Sequence, residues 1–126
     1  AAQIASIEKK GEGEVRVGNL ESWRDFTDVR DVARAYYLAL EKGKIGDVYN
    51  IGSSKAYKIA DVLESLISLS TAKVNIINDD KLTRIEDVKK ISCNYSKFNR
   101  DTGWNPQIPI SKTLSDTIKY ERNLIN

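Results

Sequence analysis

The stretch Gly18-Asn19-Leu20-Glu21-Ser22-Trp23-Arg24-Asp25-Phe26-Thr27-Asp28-Val29-Arg30-Asp31 constrains the fold most, because it joins a short strand pattern to the best-defined helix pattern in the chain. Upstream, Val15 and Val17 alternate with Glu14 and Arg16; this period of two predicts a strand with a buried valine face, ended by Gly18. Downstream, Val29, Val32, Ala33, Tyr36 and Leu40 fall at helical spacing, so this stripe is expected to face the core as far as Lys42. Gly43 follows where a left-handed C-terminal residue is expected. Asp28 is placed to cap the free N–H groups at the start of the helix, and Asp31 to favour its positive end. Arg24 lies two residues before Phe26, so in an extended segment both side chains leave the same face.

The rest of the chain continues the alternation. Residues 1–10 carry Ile4 and Ile7 and suit a short helix ending at Gly11. Residues 47–51, bounded by Gly46 and Gly52, read as a buried strand. The following Gly52-Ser53-Ser54 lacks both the further glycines of a dinucleotide loop and the lysine of a P-loop, and reads as a strand-to-helix turn. A second amphipathic helix places Ile59, Val62, Leu63, Leu66 and Ile67 on one face. Residues 73–77 alternate as a further strand, which Asn78-Asp79-Asp80 breaks. Ser96 opens a short helix, Trp104 is a core residue, and Ser111 is placed to cap a final helix with Leu114, Ile118 and Leu124 on one side and Tyr120 at its margin. The class is α/β, with about four to five helices and three to four short strands.

Composition narrows the function. At 126 residues, with 40% hydrophobic and 30% charged residues, a single domain is expected. A net charge of +2 with scattered lysines argues against a nucleic-acid partner. No apolar run approaches the roughly 20 residues of a membrane span and no signal peptide opens the chain, so a cytoplasmic protein without membrane contact is expected. The lone Cys93 excludes an internal disulfide and suits a reducing compartment. Histidine is absent, which removes the His-Cys zinc pattern, the Ser-His-Asp triad and every imidazole base; no metal site is expected. Methionine is absent even at position 1, so the chain is expected to be a piece of a longer protein.

Three motifs carry a resemblance. Gly18-Asn19-Leu20 followed by Arg24-Asp25-Phe26, the loop Thr83-Arg84-Ile85-Glu86-Asp87-Val88, and Ser96-Lys97-Phe98 with Gly103-Trp104-Asn105-Pro106 resemble the C-terminal half of extended short-chain dehydrogenase/reductases acting on nucleotide sugars. Within the NAD-dependent epimerase/dehydratase family the wording looks most like the GDP-mannose branch, which includes GDP-mannose 4,6-dehydratases and GDP-4-keto-6-deoxymannose reductases. The resemblance implies that Arg24 contacts the substrate diphosphate, that Arg84 closes over the phosphates, and that Asp87 faces the ribose hydroxyls. It places Gly18, Asn19 and Leu20 on the substrate side, Asn19 reading a base edge or a ribose. Two arginines form a sensible diphosphate clamp, since each offers a planar fork of donors and keeps its charge. On the residues alone, Arg24 reads first as a surface arginine paired with Asp25 or Asp28, and Arg84 with Asp87 equally as an i,i+3 ion pair. Ile85 stands where the family has proline, and Lys58 where Ser or Thr often caps the next helix.

The family's glycine-rich NADP loop and its Tyr-x-x-x-Lys pair are absent; Tyr36 with Leu40 and Tyr37 with Glu41 have the spacing without the lysine. The resemblance therefore implies a single nucleotide-sugar-binding C-terminal domain over residues 1–126, without the N-terminal NADP-binding Rossmann part and without catalytic or cofactor-binding residues of its own. The complete enzyme would be an NADP-dependent oxidoreductase or lyase on GDP-4-keto-6-deoxymannose or GDP-mannose, and Phe26-Thr27-Asp28-Val29-Arg30-Asp31 favours the reductase. Its partners would be the nucleotide sugar and the missing Rossmann part. In the family the strand at residues 47–51 joins the cofactor domain's sheet, so an uncovered edge predicts self-association. The alternative is a free-standing module that binds a nucleotide or a protein without catalysis.

Overall fold

A computed structural model of the chain describes residues 1–82 and 88–125. In chain order the described residues form α1 (Ala2–Glu8), β1 (Glu12–Val17), β2 (Trp23–Asp25), α2 (Val29–Lys42), β3 (Ala56–Lys58), α3 (Ile59–Ser68), β4 (Lys73–Asn78), a 3-10 turn (Asp80–Leu82), α4 (Ser96–Thr102) and α5 (Ile110–Leu124). The chain divides into two units: Ala1–Ser22, Lys58–Lys89 and Ser111–Asn126 make the first, and Trp23–Tyr57 with Lys90–Ile110 the second. No helix among the described residues is long and apolar enough to cross a membrane.

The first unit is built on β1 and β4, which pair in parallel from Glu12 opposite Lys73 to Val17 opposite Asn78. The valine alternation in β1 turns Val15 inward, where it meets Ile4, Ile7, Leu63 and Ile118, with Leu20, Leu66, Ile67 and Val74 packed around them. Lys58 precedes α3 and has no side-chain acceptor, so it makes no cap bond. The backbone does this work instead: the N–H groups of Ile59 and Ala60 donate to the carbonyls of Ser22 (2.9 Å) and Leu20 (3.1 Å). Helix α5 starts at Ile110, so Ser111 lies inside its first turn rather than capping it. Leu114 and Ile118 are buried as expected, whereas Leu124, nearer the end of the helix, is exposed. Arg122 on α5 makes a bidentate pair with Glu8 on α1 (2.7 and 2.6 Å) and also donates to the carbonyl of Leu69 (2.7 Å).

In the second unit β2 pairs with β3. Asp28 caps α2 as the sequence predicts, accepting from the N–H of Arg30 at 2.9 Å, and the Arg30 guanidinium closes over the same carboxylate. The face that α2 buries is not the predicted stripe. Val29, Tyr36 and Leu40 are 76%, 66% and 90% exposed, while Asp31 and Ala35 are buried. The physical reason is packing: Ala35 and the neighbouring Ala39 are small enough for Phe98 and Trp104 to lie close against the helix, with Leu38, Tyr49, Ile51 and Tyr95 completing the cluster. Asp31 lies in the first turn of α2 as expected and also ties the helix to a distant segment: its carboxylate accepts from the backbone of Gln107 and Ile108, both at 2.9 Å, and from Arg34 at 2.8 Å.

Two other expectations change. Gly43 ends α2 in an extended conformation (φ −66°, ψ 149°), and its hydrogen side faces the carbonyl of Ala39, where a Cβ would collide. The left-handed terminator is Gly103, after α4. Residues 47–51 form no strand. A strand needs a neighbour for its ladder, and among the described residues the sheets are β1 with β4 and β2 with β3. Tyr49 and Ile51 instead turn onto the Phe98 cluster, and the Tyr49 hydroxyl donates to Asp101 at 3.0 Å.

Candidate functional site

Arg24 sits in the middle of β2 and lines a cavity of about 390 Å³ together with Asp25, Thr27, Asn50, Ser92 and Asn94. Its Nη1 donates to the carbonyl of Trp23 at 2.8 Å. That carbonyl also accepts from the N–H of Ile91 at 3.0 Å, and Trp23 bridges Lys90 in parallel, so residues 90–91 are zipped to the strand that carries the guanidinium. A cation and the Asp25 carboxylate beside two carboxamides and two hydroxyls suit a ligand that joins a negative charge to neutral hydroxyls.

Asp25 is the residue that sequence reasoning undervalued. Its Oδ1 accepts from the N–H and hydroxyl of Ser53 at 2.8 and 2.5 Å, and its Oδ2 from the N–H of Ser54 at 2.9 Å and of Cys93 at 3.0 Å. The amides of Gly52-Ser53-Ser54 that an anion would need are thus spent on a carboxylate, which agrees with reading this segment as a turn. Ser54 takes a positive φ of 59° to make it. Gly52 lets the backbones close up, since a Cβ there would run into the Cβ and Sγ of Cys93. A signal was present in the sequence, an acid beside the strand arginine and a Gly-Ser-Ser turn with donors to satisfy, but nothing in spacing connects positions so far apart. Burial, helped by the charge of Asp25, pushes the Cys93 thiol upward, so it stays protonated at neutral pH and is a poor nucleophile.

Arg24 and Phe26 do not share a surface. β2 ends at Asp25, so the period of two stops there, and Phe26 lines a different cavity with Lys55, Tyr57 and Pro106.

The other predicted site residues lie elsewhere. Gly18, Asn19 and Leu20 belong to the first unit. A Cβ on Gly18 would strike the carbonyl of Leu82, so this glycine allows a close backbone approach. Both ends of the Asn19 carboxamide serve its own turn: Oδ1 accepts from the N–H of Glu21 at 2.9 Å and Nδ2 donates to Ser22 at 2.8 Å. Leu20 packs on the first unit's core. Arg84 and Asp87 lie outside the described residues.

Residues 1–117 match the family model for GDP-mannose 4,6 dehydratase. The chain belongs to this family. A GDP-6-deoxy-D-mannose reductase from Pseudomonas aeruginosa is 33% identical over 116 residues, covering 90% of this chain and 38% of the relative. A dTDP-glucose 4,6-dehydratase from Haemophilus influenzae is 31% identical over 113 residues, 82% of this chain and 33% of its own length. Among solved structures, RMD from Pseudomonas aeruginosa complexed with NADPH superposes with a TM-score of 0.89 at 28% identity, over 98% of this chain and 41% of that one. A UDP-glucose 4-epimerase from Thermotoga maritima, solved with UDP-glucose, gives 0.82 at 27% identity over 98% of this chain and 38% of its own. The fold is therefore α/β, a portion of the extended short-chain dehydrogenase/reductase fold, and the chain spans between a third and about two-fifths of the length of these relatives.

Proposed function

We propose that this chain supplies the nucleotide-sugar-binding side of an NADP-dependent reductase or dehydratase, with GDP-4-keto-6-deoxymannose or GDP-mannose as substrate. The observation that carries the reading is Arg24, placed on β2 in a cavity whose polar walls also hold the Asp25 carboxylate, two carboxamides and two hydroxyls. The named substrates of the relatives differ in base and sugar but share a diphosphate, the group a guanidinium reads best. Arg84 is the second phosphate contact and Asp87 the acceptor for ribose hydroxyls. NADP and the proton-transferring tyrosine belong to the rest of the enzyme, so this chain by itself binds without turning over, and the enzyme works in the cytoplasm.

Isothermal titration calorimetry tests this. GDP should bind, UDP more weakly, and NADP not at all. A hydrogen bond to a charged group contributes roughly 1.5–3 kcal/mol, so Arg24→Ala should weaken GDP by about ten- to a hundredfold. Arg24→Lys keeps the charge without the planar fork and should recover part of the loss. Equal binding of GDP and UDP would remove the base assignment. An unchanged dissociation constant in Arg24→Ala would remove the diphosphate contact.

A further inference from the structure

We propose that Asp25 is a positioning residue for ligand binding: its carboxylate sets the distance between the strand that carries Arg24 and the two loops that form the remaining walls of the cavity. The inference rests on reading Arg24 as a diphosphate contact.

The geometry has two tie points, one on either side of Arg24. On one side, the carbonyl of Trp23 accepts both the N–H of Ile91 and the Arg24 guanidinium, at 3.0 and 2.8 Å. On the other, Asp25 accepts the N–H of Cys93 at 3.0 Å and, through Ser53 and Ser54, holds the turn that follows Asn50 and Gly52. The cavity walls at Asn50, Ser92 and Asn94 are therefore hung from the residue next to the cation. A carboxylate beside an arginine would ordinarily compete with an anionic ligand for it. Here four donors already occupy its oxygens, so their dipoles offset its charge.

No neutral residue of the same shape replaces it. In Asp25→Asn one oxygen can still face Ser53, but the new amide group points hydrogens at the N–H groups of Ser54 and Cys93, and those bonds are lost. The loops loosen and the cavity no longer presents Arg24 in one geometry.

The test is a double-mutant cycle on the full chain with GDP as the probe, read by calorimetry at a temperature where each variant is folded by circular dichroism. Asp25→Asn should raise the dissociation constant about tenfold in the wild-type background and less than twofold in the Arg24→Ala background, because its effect travels through the arginine. Hydrogen exchange at the Ser54 and Cys93 amides should quicken in Asp25→Asn whether or not GDP is present. A purely structural role would lower the melting temperature and leave GDP affinity unchanged, or would cost the same in both backgrounds; either result overturns the proposal. If Asp25→Asn does not fold, Ser53→Ala removes one of the four bonds and should weaken GDP about two- to threefold, again only when Arg24 is present. An unchanged affinity there also overturns it. Failure of the wild-type chain to bind GDP would sink the reading of Arg24 itself, and this inference with it; binding by the wild type with no coupling would sink the inference alone.

Discussion

Replacing Asp31 by Asn should destabilise the second unit far more than an ordinary helix-surface change. The carboxylate is 2% exposed on its side chain and holds Arg34 at 2.8 Å on one oxygen, and the N–H groups of Gln107 and Ile108, both at 2.9 Å, on the other. Asn keeps the shape but offers one acceptor: with its oxygen turned to Gln107 and Ile108 its amide group meets Arg34 as donor facing donor, and turned the other way it leaves the two backbone N–H groups unanswered. Gln107 is exposed, Ile108 half-buried and Arg34 32% exposed on its side chain, so water answers part of either loss. The expected loss is about 1–3 kcal/mol, measured by urea unfolding at neutral pH. Burial alone would raise this carboxyl, but Arg34 and the two backbone donors outweigh it and hold the group below its ordinary value. The sign follows: its contribution is fully present above the unfolded value of about 3.9 and is lost as pH falls through the lower folded value. The gap between wild type and Asp31→Asn should therefore narrow only below about pH 4. A loss under 1 kcal/mol, or a gap that stays constant from about pH 5 to pH 2, would refute the reasoning.

Two further outcomes follow from other parts of the fold. The hydrogen bonds from Arg122 hold the Glu8 carboxyl at about 2, below the ordinary 4.5, so the tie between α1 and α5 should weaken as pH falls from 4.5 towards 2, and Glu8→Gln should remove that part of the pH dependence of unfolding. An acid titration of Glu8→Gln that overlays the wild type would show the pair contributes nothing. Gly52→Ala should cost about 1–3 kcal/mol in chemical denaturation because its Cβ meets the Cys93 side chain, and adding Cys93→Gly should recover part of the loss; wild-type stability in Gly52→Ala would mean the backbones have room to part.

Much of the architecture was legible locally. The alternation of Val15 and Val17 placed β1, the spacing of Ile59, Leu63 and Leu66 placed α3, and Asp28 marked the start of α2 through an N–H two residues away. Each of these signals acts over a few residues, so no knowledge of distant chain is needed to read it. Arg24 became a candidate through the family resemblance and not through spacing, and the extended segment's end at Asp25 sent Phe26 to a different cavity.

What α2 buries was not legible, because a hydrophobic stripe says that a face can be covered and not that this chain covers it. Val29, Tyr36 and Leu40 make the more apolar face, yet the helix packs on Ala35 and Asp31 because Trp104 and the amides of Gln107 and Ile108 arrive there from more than seventy positions away. Residues 47–51 have a strand's composition without a ladder, since pairing belongs to two segments and not to one. Asp25 shows the same division at the candidate site. Sequence alone determined that a cation would stand in a short extended segment and that Gly52-Ser53-Ser54 would turn; only tertiary structure decided that the acid beside the cation would bind that turn and the backbone of Cys93, because hydrogen bonds between distant segments form only where the fold brings a donor to an acceptor.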